Sequence, residues 1–188
     1  MLVGTAQAGG PFHSSHARRA QPATHIPRGV MRYWLMKSEP DDVSIDDLAA
    51  MPKQTVAWYG VRNFQARNFM REMVVGDQAF FYHSSCPEPG IAGIVRVSKL
   101  AYPDASQFDP KSPYYDPKSK PEKPRWSNVE VTLVKKTRLI ALAELRRQEA
   151  LASMRVLQRG NRLSVTPVEP NEWAYITERM MKAPAALS

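Results

Sequence analysis

The sequence holds a single cysteine, Cys86, among 188 residues. That excludes an internal disulfide and a cysteine-rich zinc site, and it fits a reducing compartment such as the cytoplasm. Histidine is scarce as well. Three of the four, His13, His16 and His25, fall in the first 30 residues, and no His, Cys and carboxylate group has the spacing of a metal site. No apolar run approaches the roughly 20 residues that cross a bilayer, so no membrane partner is expected. There is no G-x-S-x-G elbow, no P-loop and no dinucleotide fingerprint. No cofactor is expected, and no internal repeat is present.

What remains is the composition of an ordinary soluble domain, with 43% hydrophobic and 23% charged residues. The length suits one domain, expected to act as a monomer. The formal charge is +8, but residues 1–30 hold three arginines and no acid, so residues 31–188 keep 23 basic and 18 acidic groups, a net +5. An excess of this size favours an anionic partner. Residues 1–30 show no period of 2 or 3.6 and are expected to be a disordered or non-native extension. Residues 31–182 are expected to form the domain, and 183–188 a C-terminal tail.

Periodicity divides the domain into short interleaved elements. Strands are expected at 32–37, 78–84, 91–99, 128–135 and 162–168. Helices are expected from Ser44 to Met51 behind a Ser44–Asp47 capping box, from Asn63 to near Val75, and at 141–147, 149–157 and 170–181. Ala79, Phe81 and His83 should point one way and Phe80, Tyr82 and Ser84 the other, while Ile91, Gly93, Val95 and Val97 share a face. Residues 102–124, rich in Pro, Tyr and Lys, make a loop too long to be idle. No βαβ period repeats, so the expected class is α+β with a small closed or partly closed mixed sheet and flanking short helices.

The chemistry concentrates at Trp58-Tyr59-Gly60-Val61-Arg62-Asn63, which leads into the helix carrying Arg67 and Arg71. Asn63, Arg67 and Arg71 recur at helical spacing, opposite the apolar Ala66, Phe69, Met70 and Met73. Trp58 is the leading candidate to stack a base. Trp34 and Trp126 sit in strand-like apolar surroundings that suit core or pocket wall, and Tyr82, Tyr114 and Tyr115 are further aromatic candidates. Asn63, Gln107, Asn161 and Arg162 can read base edges, whereas Arg67 and Arg71 suit phosphates. Tyr82-His83-Ser84-Ser85-Cys86 ends a strand. His83 and Ser84 should face opposite ways, so the cluster suits polar lining of a pocket better than a nucleophile and its base.

Tyr33-Trp34-Leu35-Met36-Lys37-Ser38-Glu39-Pro40 and the Trp58 segment resemble the EVE domain family. Phe81-Tyr82-His83-Ser84, Pro89-Gly90-Ile91-Ala92-Gly93, Ala101-Tyr102-Pro103-Asp104, Gln107-Phe108-Asp109-Pro110 and Gly160-Asn161-Arg162-Leu163-Ser164 continue the likeness in the family's order. The resemblance runs from about Met31 to about Arg179 and includes many small bacterial proteins. It implies a PUA-like mixed β-barrel and non-catalytic binding of nucleic acid, DNA or RNA, with a modified base in an aromatic and polar pocket. By the same resemblance Lys37, Ser38, Arg162 and Ser164 join that pocket, beside the residue-based candidates Trp34, Trp58, Gly60, Asn63, Tyr82, His83, Ser84 and Gln107. Ser85 departs from a common family form that has Asn there. Two other readings stay open from the residues: an enzyme acting on a nucleotide or RNA base through His83 or Asp109, and a protein-interaction module docking through loop 102–124.

Overall fold

Alternating apolar residues build the centre of one sheet. In the computed structural model, which describes residues 31–182, β1 (Tyr33–Ser38) lies parallel to β3 (Gln78–His83), with Leu35 opposite Phe80. Expectations about residues 1–30 and 183–188 lie outside the described residues. Between these two strands the chain forms α1 (Ile45–Ala50), β2 (Thr55–Ala57) and α2 (Phe64–Glu72). Then follow β4 (Gly90–Pro103), β5 (Ser127–Ala141), α3 (Leu142–Arg146), β6 (Val165–Val168) and α4 (Pro170–Tyr175). The order across the sheet is β2-β5-β4-β3-β1-β6, and every pairing except β1–β3 is antiparallel.

The α+β class and the mixed sheet are as expected, but the barrel is not closed by hydrogen bonds. Pairing ends at β2 on one side and β6 on the other. Helix α2 packs against β4, β5 and the edge strand β6. Its Ala66 and Met70 are buried with Trp34, Met36, Phe81, Val129, Val131 and Val165 in one core. A second core on the opposite face joins Leu35, Phe80, Tyr82, Ile91 and Ile140 to Leu145, Trp173 and Ile176 of the C-terminal helices. Truncating a side chain as buried as Phe80 or Phe81 removes about 3–5 kcal/mol.

Local signals explain most boundaries. Ser44 Oγ accepts from the Asp47 amide at 3.0 Å while Asp47 accepts from the Ser44 amide at 2.9 Å, the reciprocal cap expected for α1. Asn63 caps α2, its Oδ1 accepting from the amides of Gln65 and Ala66 at 2.9 and 3.1 Å. Elsewhere the expectations need correction. β4 and β5 run well past 99 and 135, and the register between β3 and β4 shifts between Phe81 and Tyr82. There Phe81 faces Gly93 and Tyr82 faces Ile91, so Ala92 is an extra residue. The bulge turns Ile91 to the second core, away from Val95 and Val97. The helix expected at 149–157 is instead two 3-10 turns, Glu149–Leu151 and Arg155–Leu157, parted by an extended Met154. The last helix passes into a π-helical turn at Ile176–Met180.

Candidate nucleic-acid interface

The C-terminal ends of β1 and β3 open on one side of the sheet, next to the chain that leaves β2. Together they border a cavity of about 540 Å³. Lys37 and Ser38 come from β1, Ser84 and Ser85 from beyond β3, and Arg162 and Ser164 from the approach to β6. Trp58, Gly60, Arg62 and Asn63 form the facing wall, with Tyr114 of the long loop beside them. A cavity of this size is in the range that takes small organic ligands.

Trp58 is 7% exposed. Its amide donates to Val129 O at 2.8 Å, and its ring meets Phe81 edge-on with centroids 5.4 Å apart. The indole Nε1 has no hydrogen bond among the described residues. The side chain is thus both core and cavity wall. Gly60 follows with φ +78°, and a Cβ there would lie 2.7 Å from Tyr114 Cζ. Only glycine provides both the left-handed backbone and the space for the ring. Tyr114 in turn meets Tyr59 edge-on at 5.9 Å. The Tyr59 hydroxyl donates to Asp42 Oδ1 at 2.8 Å, and that bond, with burial, pushes its pKa up to about 12.

This wall hangs on a pair that the sequence did not single out. Arg62 Nη1 donates to Asp104 Oδ2 at 2.8 Å, its Nε to Tyr114 O at 2.8 Å, and its Nη2 to Ser106 Oγ at 2.9 Å. Asp104 Oδ2 also accepts from the Gly60 amide at 3.1 Å. Asp104 is 1% exposed. Burial raises its pKa, but the bonds from Ser106, Arg62 and Gly60 outweigh that and hold the carboxyl below its ordinary value. The available sequence signal was Asp104-x-Ser106, a side-chain-capped turn, with the Ser106 amide bound to Asp104 Oδ1 at 2.9 Å.

The polar groups facing the cavity differ in what they have free. Lys37 is half-buried, and its ammonium has no acceptor among the described residues, so burial pulls its pKa down. Arg162 is exposed and likewise without a side-chain partner there. Asn63 Oδ1 is occupied by the helix cap, leaving its Nδ2 donor. Ser38 Oγ donates to Val43 O at 2.7 Å and Ser84 Oγ to Ser38 O at 3.3 Å, so these hydroxyls keep acceptor capacity. The Ser164 carbonyl accepts the Lys37 amide at 2.7 Å, which ties the start of β6 to the end of β1. Ser85 has φ +54° and donates to Glu39 Oε1 at 2.9 Å. Asparagine tolerates this left-handed backbone better than serine. Ser85→Asn is therefore expected to raise unfolding stability by up to about 1 kcal/mol, read from denaturant melts.

Four residues expected in the pocket lie elsewhere, and the two expected on phosphates stand outside it. Trp34 is 2% exposed in the first core, and its Nε1 donates to Asp77 Oδ2 at 3.0 Å. Tyr82 faces the second core, where burial pushes its phenol to about 12. Its ring is spent on that core and does not border the cavity. His83 Nε2 accepts from the Ile45 amide at 3.1 Å, which fixes a neutral ring with its proton on Nδ1, and burial lowers its pKa. Gln107 is fully buried. Its Nε2 donates to Asp104 O and Trp126 O at 2.6 and 3.0 Å, and its Oε1 accepts from the amides of Arg125 and Trp126 at 3.0 Å each. The amide is consumed in holding loop to strand and has no group left for a base edge. Arg67 and Arg71 lie along α2 outside the cavity, donating to Arg125 O at 2.7 Å and Ser127 Oγ at 2.9 Å. Among the described residues no group of three His, Cys, Asp or Glu side chains could hold a metal ion.

The model of the EVE domain matches residues 32–179. Human thymocyte nuclear protein 1 is 43% identical, over 91% of this chain and 84% of its own length. A crystal structure of a Pseudomonas putida protein is 52% identical and superposes with a TM-score of 0.75, over 78% of this chain and 97% of that one. The structure of human THYN1 protein in complex with 5-methylcytosine-containing DNA is 45% identical, with a TM-score of 0.77 over 81% of this chain and 99% of that one. With this match across nearly all of the described residues, the chain belongs to the EVE domain family.

Proposed function

We infer that this chain is a non-catalytic nucleic-acid-binding domain that holds one modified base in the cavity beside Trp58. The carrying observation is the cavity itself: about 540 Å³, walled by an indole and bordered by the unengaged donors of Lys37, Asn63 and Arg162. A π-face with convergent donors suits a heterocycle rich in acceptors, such as a pyrimidine. The related human protein's complex with 5-methylcytosine-containing DNA makes a methylated base the first ligand to test. We take the domain to bind as a monomer.

Binding rather than turnover is favoured by the proton-transfer candidates. The His83 lone pair is taken by Ile45, and Asp109 is an exposed turn residue whose Oδ1 accepts from the Lys111 amide at 2.9 Å. Neither borders the cavity. A buried methyl adds roughly 0.8 kcal/mol, which is only several-fold in affinity. Larger discrimination must come from the polar groups. The test is a titration of oligonucleotides that differ only in one base, cytosine against 5-methylcytosine, in DNA and in RNA at fixed salt. A preference for the methylated form is expected, with the base recovered unchanged. Equal affinity for all of them, or conversion of the base, would overturn the reading.

Affinity should also fall with salt through counterion release. Arg67, which donates to Arg125 O and Asn68 Oδ1, and Arg71, which donates to Ser127 Oγ, each keep further N–H donors and stand on the same helix as Asn63. Replacing both with alanine is expected to flatten the slope of log K against log salt by up to ~2 units, with base preference unchanged. An unchanged slope would place the backbone elsewhere.

A further inference from the structure

Phe64 is 48% exposed, yet its ring is fixed. It stacks on the buried Trp126 with centroids 4.8 Å apart and planes 19° from parallel. Trp126 is held in turn by its Nε1, which donates to Asp116 Oδ2 at 2.7 Å. Two guanidiniums flank the pair. Arg67 lies 4.8 Å from the Phe64 centroid and Arg125 5.3 Å, and each lies 5.9 Å from the Trp126 centroid. A group resting on the outer face of Phe64 would be farther from Trp126 by nearly the whole stacking distance. Both guanidiniums therefore sit at the edges of the stack and leave the outer face open.

The two cations are positioned rather than loose. Arg67 Nη1 donates to Arg125 O at 2.7 Å, and Arg125 Nη1 pairs with Asp116 at 3.0 Å. Arg67 is also crowded, since burial and then its neighbours Arg71 and Arg125 work against its charge. An anion at this rim would relieve that repulsion. The platform adjoins the cavity without a gap in the chain. Arg62 and Asn63 border the cavity, Phe64 comes next, and the Arg62 guanidinium lies 5.4 Å from the Trp126 ring.

We propose that Phe64 is a stacking platform for the base next to the one held in the cavity, with Arg67 and Arg125 on the adjoining phosphates. This rests on the base-binding reading above. Drawing one base into a pocket bares the face of its neighbour in the strand. A flat ring there restores the lost stacking with little regard to sequence, and guanidiniums at its edges suit phosphate oxygens. A ring bordered by like charges fits a nucleotide better than an apolar protein surface.

The test uses the full chain and single-stranded DNA carrying one 5-methylcytosine, with an abasic nucleotide placed immediately 5′ or 3′ of it. The wild-type chain is expected to lose roughly fivefold or more in affinity for one of the two abasic strands. Phe64→Ala should lose a similar factor on the intact strand and no longer respond to the abasic neighbour. It should keep its preference for 5-methylcytosine over cytosine, and Phe64→Trp should restore the neighbour's contribution. If Phe64→Ala uncovers Trp126 enough to unfold the chain, Phe64→Leu keeps an apolar cover without a flat ring and should give the same result. A wild-type chain indifferent to both abasic strands, or a folded Phe64 variant that responds to them as the wild type does, would overturn the platform. A wild-type chain that ignores the central methyl but responds at the neighbour, with that response lost on removing Phe64, would overturn the cavity's selectivity and uphold the platform.

Discussion

Trp58→Ala is expected to weaken the fold and the binding by separable amounts. The side chain is 7% exposed, belongs to the first core and rests edge-on against Phe81. Removing a buried indole costs about 3–5 kcal/mol of stability. A base stacked on the same ring loses about 1–3 kcal/mol of binding in addition. Domains of this size are typically stable by about 5–15 kcal/mol, so most of the variant population should remain folded near room temperature. Denaturant unfolding gives the first loss. Titration with a 5-methylcytosine oligonucleotide, corrected for the folded fraction, gives the second. Trp58→Phe should recover part of each, since a smaller ring still packs and still stacks. Near-wild-type affinity in folded Trp58→Ala would remove Trp58 from the recognition surface and leave it as core alone.

The sequence revealed those parts of the molecule whose causes are local. The β3 alternation is visible because each inward residue has its own apolar side chain, and α1 is visible because its cap lies within four residues of chain. β2 escaped because three residues carry no period. The Ala92 bulge escaped because an extra residue looks the same as a regular one until its partner strand is known. The same divide runs through the site. Trp58, Gly60 and Asn63 could be picked out from neighbouring chemistry, while Lys37, Ser38, Arg162 and Ser164 were reached through family likeness. Gln107 and His83 were misplaced for one reason. Each has polar atoms suited to a ligand, and each gives them to backbone groups far along the chain: Trp126 for Gln107, and Ile45 for His83. Nothing in a run of residues indicates that a side chain's hydrogen bonds are already made inside the fold.

The Arg62–Asp104 pair is the extreme case of such a distant cause, and it carries the other large expected effect. Asp104 is 1% exposed and joins the Gly60 amide to the Arg62 guanidinium, so the cavity wall and the long loop depend on one carboxylate. Arg62→Ala leaves that carboxylate buried without its counter-charge, which typically costs about 3–5 kcal/mol. The pH dependence gives a sharper signature. Because the folded-state pKa of Asp104 lies below its ordinary value, its contribution is fully present above the unfolded pKa, about 3.9, and is lost as the pH falls through the lower folded value. Asp104→Asn removes that contribution at every pH. The stability gap between wild type and Asp104→Asn should thus be widest near neutral pH and narrow as the pH drops below about 4. In Arg62→Ala the carboxyl loses a stabilising donor, so its folded pKa moves up toward the unfolded value and the acid-induced loss should be smaller than in the wild type. Oligonucleotide affinity should fall in both variants, because Gly60 and Tyr114 no longer share an anchor. Denaturant melts from pH 3 to pH 7 decide the matter. A gap of constant size across that range would mean that Asp104 contributes shape to the wall but no charge-dependent stability.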